Sequence, residues 1–189
     1  TRLNAYDLSV NSVGDYANRI IEIDPELLIG YTSTIFKVAQ YILGSKKQVA
    51  QIKNLKCVIV TSETVTENDI KIIQNAFGVP VVLEYGTAES SVIAYSSNCA
   101  NEINVFWDSF IAQTDLENQL YITTLNNRLL PLINYDTTDC VKVASEKDSS
   151  IFAFESIAGR QKDNVFLTCS KEGEIELSGI LLVHILKGF

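Results

Sequence analysis

Hydrophobic residues in the first half of the chain follow two patterns in turn. Three stretches have the three-to-four-residue spacing of an amphipathic helix, beginning near Ser9 or Ser12, at Ser33 and at Thr66. The third has Asp69 three residues after Thr66, the pattern of a capping box. Between and after these helices lie continuous apolar runs, Leu27–Tyr31, Lys53–Thr61 and Val79–Glu84. Runs without polar alternation are typical of strands that are buried on both faces. This order predicts parallel βαβ units.

The second half of the chain has a different texture. Short β-like runs follow one another with turn signals and without intervening helices: Val92–Ser96, Asn104–Thr114, Leu120–Leu125, Leu132–Val143, Ile151–Glu155 and Val165–Thr168. A last helix is predicted from about Glu176, apolar nearly all round. The expected fold is therefore α/β: a parallel βαβ sheet unit, then a mostly antiparallel β unit and a terminal helix.

Composition narrows the function classes. The 189 residues are 47% hydrophobic and 20% charged, as in ordinary globular proteins, and the net charge is −8. Such an acidic chain is not expected to bind a nucleic-acid backbone or an anionic membrane, whereas a nucleotide site with local donors stays open. With one histidine and four widely spaced cysteines, a structural zinc site is not expected, and scattered thiols indicate a reducing cytoplasm.

The chain is expected to be a piece of a larger protein. It begins at Thr1, contains no methionine, and ends at Phe189 directly after an apolar stretch. An apolar last helix needs cover on several sides, and the rest of the parent protein would supply it. Homo-oligomer formation is left open.

Polar motifs follow the predicted strands. Tyr85-Gly86-Thr87-Ala88-Glu89 comes after an apolar strand, where ligands of open parallel sheets bind. There an aromatic face could stack on a flat ring, Gly86 admits a ligand close to the backbone, and Glu89 can hold a cation. Three further motifs stand in order with it: Ser62-Glu63, Tyr135-Asp136-Thr137-Thr138-Asp139 and Gly159-Arg160-Gln161-Lys162-Asp163.

This ordered set resembles the adenylate-forming (acyl-CoA synthetase-like) superfamily. Within it the chain is most similar to the phenylacetate-CoA ligase and capsular-polysaccharide-biosynthesis branch. Further stretches share that likeness: Ala5–Ser9, Leu28–Ser33, Thr123–Asn127 and Pro131–Ile133. The resemblance implies residues 1–90 as the βαβ part of a large domain, 91–158 as a β-rich subdomain, and 159–189 as a hinge and the start of a small domain.

The resemblance also implies an activity. A small carboxylic acid and ATP would give an acyl-adenylate and pyrophosphate, and the acyl group would pass to CoA or another thiol. The protein would position the reactants and stabilise the charge on the phosphate oxygens.

Site residues carry over by position. Tyr85 would stack on adenine, and Asp139 would accept hydrogen bonds from the ribose hydroxyls. Arg160 would bind the ribose or phosphate side and Glu89 would hold Mg²⁺. The remaining candidates for the nucleotide site are Ser62, Glu63, Gly86, Thr87, Ala88 and, near the hinge, Asp163.

Departures from the family pattern limit the expected activity. Ala88 stands where a hydroxyl residue is frequent, and Thr138 where a glycine usually precedes the aspartate. These 189 residues are not expected to include the family's Ser/Thr/Gly-rich phosphate loop or its lysine-bearing small domain. This piece alone is therefore expected not to form an acyl-adenylate.

Simpler roles compete with these assignments. Tyr85 could be a core residue at a strand end, Glu89 a solvated cap, Asp139 a turn residue and Arg160 half of a surface ion pair. The whole chain could be a non-catalytic nucleotide-binding or interaction module on the same scaffold. A purely structural or assembly role is the third alternative.

Overall fold

The computed structural model describes residues 1–4, 9–45, 52–97, 102–127, 129–160, 165–169 and 173–177. The chain divides into two compact units. The first contains residues 1–86 and 94–101, and the second contains residues 87–93 and 102–189. A domain boundary at residue 159 stays a prediction. No helix of the described residues is long and apolar enough to cross a membrane.

Three helices of the first unit form where the apolar spacing predicts them: α1 (Val10–Ile23), α2 (Thr32–Gly44) and α3 (Glu67–Phe77). Ser9 caps α1, since its side chain accepts from the Ser12 amide, and α1 ends at the left-handed residue Asp24. The capping box predicted at Thr66 is present, because Thr66 and Asp69 each bind the other's backbone amide. Gly78, at a φ of 67°, then ends α3.

The sheet of the first unit is parallel, as predicted. It pairs β1 (Leu27–Tyr31) with β2 (Cys57–Thr61), and β2 with β3 (Val81–Thr87, whose last residue falls in the second unit). Val58 and Val60 are fully buried on one face. They share a single core with apolar residues from all three helices, including Ala17, Val38 and Ile73. The helices therefore pack on the same face of this sheet.

The opposite face of this sheet is more open. Leu27 and Ile29 of β1 are both 56% exposed, and their register partners Cys57 and Ile59 are half-buried. Parallel sheets are usually covered on both faces, which is why their strands lack a polar alternation. Within the described residues, the apolar side chains of Leu27 and Ile29 therefore lie on a face of the sheet that is only partly covered.

Strand β4 (Ser91–Ser96) has residues in both units. Within the first unit, the Ser96 hydroxyl accepts a hydrogen bond from the Leu83 amide at 2.8 Å. This bond ties the end of β4 to β3.

The second unit is built on antiparallel strands: β5 (Ile103–Val105), β6 (Phe110–Thr114), β7 (Gln119–Thr124), β8 (Tyr135–Lys147) and β9 (Ser150–Arg160). They are hydrogen-bonded in the order β5-β9-β8-β7-β6, and all pairs are antiparallel. Ala112, Leu120, Ile122 and Phe154 are fully buried. The predicted sequence of a parallel unit and then an antiparallel unit is confirmed.

Two predictions about the second half are wrong. The run Asn104–Thr114 is two strands, because a turn at residues 106–109 separates β5 from β6. The helix predicted from about Glu176 does not begin there. Glu176 lies in β11 (Gly173–Leu177), which pairs antiparallel with β10 (Val165–Cys169). The rest of that predicted helix lies outside the described residues.

Candidate functional site

The carboxyl ends of β2 and β3 lie side by side. Thr61 is the register partner of Glu84, so the next residues along the two strands are Ser62 and Tyr85. This is the edge of a parallel sheet at which ligands bind. Tyr85 is 8% exposed and Gly86 is exposed. Burial of Tyr85 is typical of the core alternative, and stacking on a nucleotide ring stays a prediction.

The Tyr85–Glu89 motif is not wholly a loop. Tyr85, Gly86 and Thr87 are the last residues of β3, and the turn occupies residues 88–90. In the second unit, the Thr87 hydroxyl accepts from the Ser90 amide at 3.2 Å and also lies 3.0 Å from the Ser90 hydroxyl. Ala88 and Glu89 are exposed on this turn. Thr87 thus closes the turn that presents Glu89.

Glu63 binds the start of a helix. Its Oε2 accepts a hydrogen bond from the Ser33 amide at 2.6 Å, and its Oε1 accepts from the Ser33 hydroxyl at 3.0 Å. Ser33 was expected to open α2, but the N-cap residue is Tyr31, whose side chain makes no capping hydrogen bond. Glu63 therefore supplies a negative charge and an acceptor at the amide-rich end of α2.

A second carboxylate of the first unit has a specific partner. The Tyr95 hydroxyl donates a hydrogen bond to Glu84 Oε2. This bond, with burial and the charge of Glu84, raises the pKa of Tyr95 to about 12. Glu84 precedes Tyr85, and successive strand residues point to opposite faces of the sheet. The Glu84–Tyr95 pair therefore belongs to the face opposite the Tyr85 side chain.

The third motif forms a bulged strand. Gln119 pairs with Cys140 and Tyr121 pairs with Asp136, so β8 carries extra residues in the interval that includes Asp139. Bulges re-aim side chains and are frequent beside active sites. All five residues of the motif belong to β8, within the β-like run predicted over Leu132–Val143.

Side chains of the motif itself hold this bulge. Asp136 Oδ1 accepts from the Thr138 amide at 2.7 Å. The buried Thr137 hydroxyl donates to the Leu120 carbonyl at 2.9 Å and accepts from the Asp139 amide at 3.2 Å. Thr138 has a φ of 63°, a left-handed conformation that is unfavourable for a β-branched residue. The glycine that the family resemblance implies at this position would adopt it freely.

The fourth motif begins at the end of β9. Arg160 is its last residue and is the register partner of Asp139 on β8. Gly159, at a φ of 83°, precedes it. Asp163 lies outside the described residues, so its role stays a prediction.

Of the predicted site residues that the structure describes, four lie together in the first unit, and five lie in the second unit, on a turn and on a strand pair. Ser62, Glu63, Tyr85 and Gly86 lie at the carboxyl edge of the parallel sheet. Thr87, Ala88 and Glu89 share a turn in the second unit, and Asp139 pairs with Arg160 in the same unit.

Acidic residues surround one thiol in the second unit. Burial, and then the charges of Asp115, Asp139, Glu117 and Asp136, raise the pKa of Cys140. A raised pKa disfavours the thiolate, so Cys140 does not have the character of a nucleophile. Within the described residues, no three His, Cys, Asp or Glu side chains are grouped to hold a metal ion.

Sequence reasoning gave no functional role to Ser33, Asp136 or Thr137. Ser33 lies 30 residues from Glu63 in the chain, and no local pattern links the two. Asp136 and Thr137 did leave a local signal. Asp and Thr side chains readily bind backbone amides two residues ahead, as both do here.

Solved structures share this fold. A 2-hydroxyisobutyryl-CoA ligase, crystallised in an open conformation with 2-HIB-AMP and CoA, matches 96% of the chain with a TM-score of 0.67 and 16% identity. Coronafacic acid ligase from Pectobacterium brasiliense matches 96% of the chain with a TM-score of 0.56 and 15% identity. The chain therefore has a fold found in acid-CoA and related acid ligases.

Curated relatives fit the predicted resemblance to the adenylate-forming superfamily. Protein CapK of Staphylococcus aureus is 27% identical over 181 residues, or 90% of the chain. Indoleacetate–lysine synthetase of Pseudomonas savastanoi is 26% identical over 125 residues, or 65% of the chain. No family model matches the chain. The aligned part is 39% of CapK and 31% of the synthetase, so the chain spans well under half of these relatives.

Proposed function

We propose that this chain is the nucleotide-binding part of an ATP-dependent ligase that activates a small carboxylic acid. The carboxylate oxygen attacks the α-phosphorus of ATP, the bond to the β-phosphate breaks, and acyl-adenylate and pyrophosphate form. A thiol, CoA in the first instance, then displaces AMP from the acyl carbon. The chain supplies groups that bind and orient the nucleotide.

The observation that carries this proposal is the register of β2 and β3. It brings Ser62 and Tyr85 together at the carboxyl edge of a parallel sheet, the general location of ligand sites in such sheets. The fold likeness to a ligase whose crystal structure contains 2-HIB-AMP and CoA supports a nucleotide as the ligand.

Each candidate residue has a chemical task in this proposal. Tyr85 offers a ring face to adenine, and stacking of this kind contributes about 1–3 kcal/mol per base. The Asp139 carboxylate accepts hydrogen bonds from the ribose diol, and such charge-assisted bonds are stronger than neutral ones. Arg160, beside Asp139 in register, binds the ribose or phosphate side. Ser62, Glu63, Gly86, Thr87, Ala88 and Asp163 are the remaining candidates for contact with the nucleotide.

Glu89 fits the task of a magnesium ligand. Mg²⁺ is usually held by one or two carboxylates together with substrate phosphates and waters. Glu89 is an exposed carboxylate on a turn that the Thr87 hydroxyl closes. When bound, the ion would neutralise charge on the phosphate oxygens.

The remaining activity would depend on further polypeptide. The acid pocket, the phosphate loop and a lysine-bearing small domain would come from other parts of the parent protein, with which this chain would pack. The free thiols of Cys57 and Cys140 favour a reducing cytoplasm as its location.

ATP–pyrophosphate exchange tests this activity. The complete parent protein, offered a panel of aryl and acyl acids with Mg²⁺, is expected to exchange labelled pyrophosphate into ATP with at least one acid. The present chain, assayed in parallel, is expected to give none. A folded parent protein that exchanges with no acid would contradict the ligase assignment.

A nucleotide-binding module without catalysis is the second candidate. Ala88 favours it, because this exposed turn residue has no hydroxyl to offer a phosphate. Nucleotide binding by the parent protein without exchange would select this candidate over the ligase.

A further inference from the structure

The start of helix α2 is bound by a residue that is distant in sequence. The first amides of a helix have no partner within the helix, and the N-cap residue Tyr31 provides no side-chain acceptor. Glu63 provides it, accepting from Ser33 N at 2.6 Å and from Ser33 Oγ at 3.0 Å. Both oxygens of the Glu63 carboxylate are thereby used on one residue.

This contact fixes the loop that follows β2. Ser62, the residue directly before Glu63, has a φ of 65°. A residue other than glycine holds this left-handed conformation only where its surroundings impose it. Thr61 and Glu84 are register partners, so Ser62 emerges beside Tyr85. Glu63 thus binds the start of α2, and it directly follows Ser62, the residue that borders the candidate site.

We propose that Glu63 is a positioning residue of the nucleotide site and does not itself bind nucleotide. By clasping Ser33, it holds Ser62 in its left-handed conformation at the edge of the sheet. The inference rests on the proposed nucleotide function. It assigns Glu63 the role of holding Ser62 in place, instead of contacting the nucleotide. Ser33, a residue outside the predicted site, becomes part of the same device.

Amide hydrogen exchange tests the clasp without any ligand. Glu63→Gln removes the charge and one acceptor, and Ser33→Ala removes one of the two bonds from the other side. Both changes are expected to speed exchange at residues 62–64 relative to wild type. Ser9→Ala is the matched control, because it removes the side-chain cap of α1. Unchanged exchange in Glu63→Gln would overturn the clasp.

Calorimetric titration with AMP separates support from direct contact. If Glu63 acts through Ser33, then Glu63→Gln and Ser33→Ala both weaken AMP binding, and Ser9→Ala does not. We expect a loss of about tenfold for Glu63→Gln, the size of one lost hydrogen bond to a charged group. In the Glu63→Gln/Ser33→Ala double variant, the loss of AMP affinity should be smaller than the sum of the two single losses, as for residues in contact.

Other outcomes would overturn the proposal. Weaker binding in Glu63→Gln with unchanged binding in Ser33→Ala would make Glu63 a direct ligand residue. Wild-type affinity in Glu63→Gln would make the clasp structural only. Absence of AMP binding by the wild-type chain would instead refute the nucleotide site on which the inference rests, whatever the exchange rates show.

Discussion

Asp139 and Arg160 are register partners on the antiparallel strands β8 and β9. In sequence they belong to separate motifs, and nothing in their spacing brings them together. The bulge in β8 includes Asp139, so the strand is irregular where it pairs with the start of the fourth motif. The second unit thereby joins two motifs of the candidate site.

Replacing Thr138 by glycine should stabilise the protein. Thr138 has a φ of 63°, and such strain costs about 1–3 kcal/mol. Glycine removes the strain but loses about 0.5–1 kcal/mol to backbone entropy. We expect a net gain of about 1 kcal/mol in the free energy of unfolding, measured by urea denaturation. Thr138→Ala, which keeps a Cβ atom, is the control and should gain less. Destabilisation by glycine would contradict the strain.

Two buried threonines should respond in opposite ways to valine. Among the described residues Thr32 Oγ1 is a buried hydroxyl without a hydrogen-bond partner, and Thr32 is 2% exposed. An unsatisfied buried hydroxyl costs about 1–3 kcal/mol, so Thr32→Val should raise the free energy of unfolding by about 1 kcal/mol.

Thr137→Val is the matched comparison. Thr137 is 5% exposed, and its hydroxyl binds both the Leu120 carbonyl and the Asp139 amide. Valine leaves both backbone groups without this partner, so a loss of about 2 kcal/mol is expected. Equal effects of the two valine substitutions in denaturant titrations would refute this account.

Packing of all three helices on one sheet face predicts unequal costs for two isoleucines. Ile73 of α3 is fully buried in the shared core, whereas Ile29 of β1 is 56% exposed. Ile73→Ala should cost about 2–5 kcal/mol. Ile29→Ala should cost under about 1 kcal/mol. Similar midpoints of chemical unfolding for the two variants would mean that the core has been assigned to the wrong face.

Tyr95 should titrate later than an ordinary tyrosine. Its hydrogen bond to Glu84 and the charge of Glu84 raise its pKa from 10.0 to about 12. Because the folded-state pKa is the higher one, this stabilisation is complete below pH 10 and is lost as the pH rises towards 12. Ultraviolet absorbance of tyrosinate should show this late component.

Two variants check the assignment of that component. Tyr95→Phe should remove it, and Glu84→Gln should move it towards pH 10, because the amide carries no charge. A late component that persists in Tyr95→Phe belongs to another tyrosine.

Local chemistry made the first unit largely predictable. Unalternated apolar runs marked β1, β2 and β3, and the capping box of Thr66 and Asp69 marked the start of α3. The caps of α1 and α3 come from residues close in sequence, whereas the start of α2 is bound by the distant Glu63. The adenylate-forming resemblance and the order of the two units were also predictable, because the order of motifs can be recognised in a sequence without knowing how the strands pair.

Non-local pairing explains what was missed. The Glu63–Ser33 contact, the β8 bulge and the Asp139–Arg160 pairing each depend on the register of residues far apart in the chain. The strand at Glu176, where a helix was predicted, does have a local signal in the sequence. In Glu174-Ile175-Glu176-Leu177, polar and apolar residues alternate with the period of a strand, and this segment pairs with β10.

Titration of the chain with AMP tests the central claim most directly. Tyr85→Phe keeps the ring and should retain affinity. Tyr85→Leu fills the same buried position without an aromatic face and should bind about tenfold more weakly, the loss of roughly 1.4 kcal/mol of stacking. Asp139→Asn should weaken binding by a similar factor, about tenfold. Absence of saturable binding by the wild-type chain, or wild-type affinity in both Tyr85→Leu and Asp139→Asn, would contradict a nucleotide site at these residues.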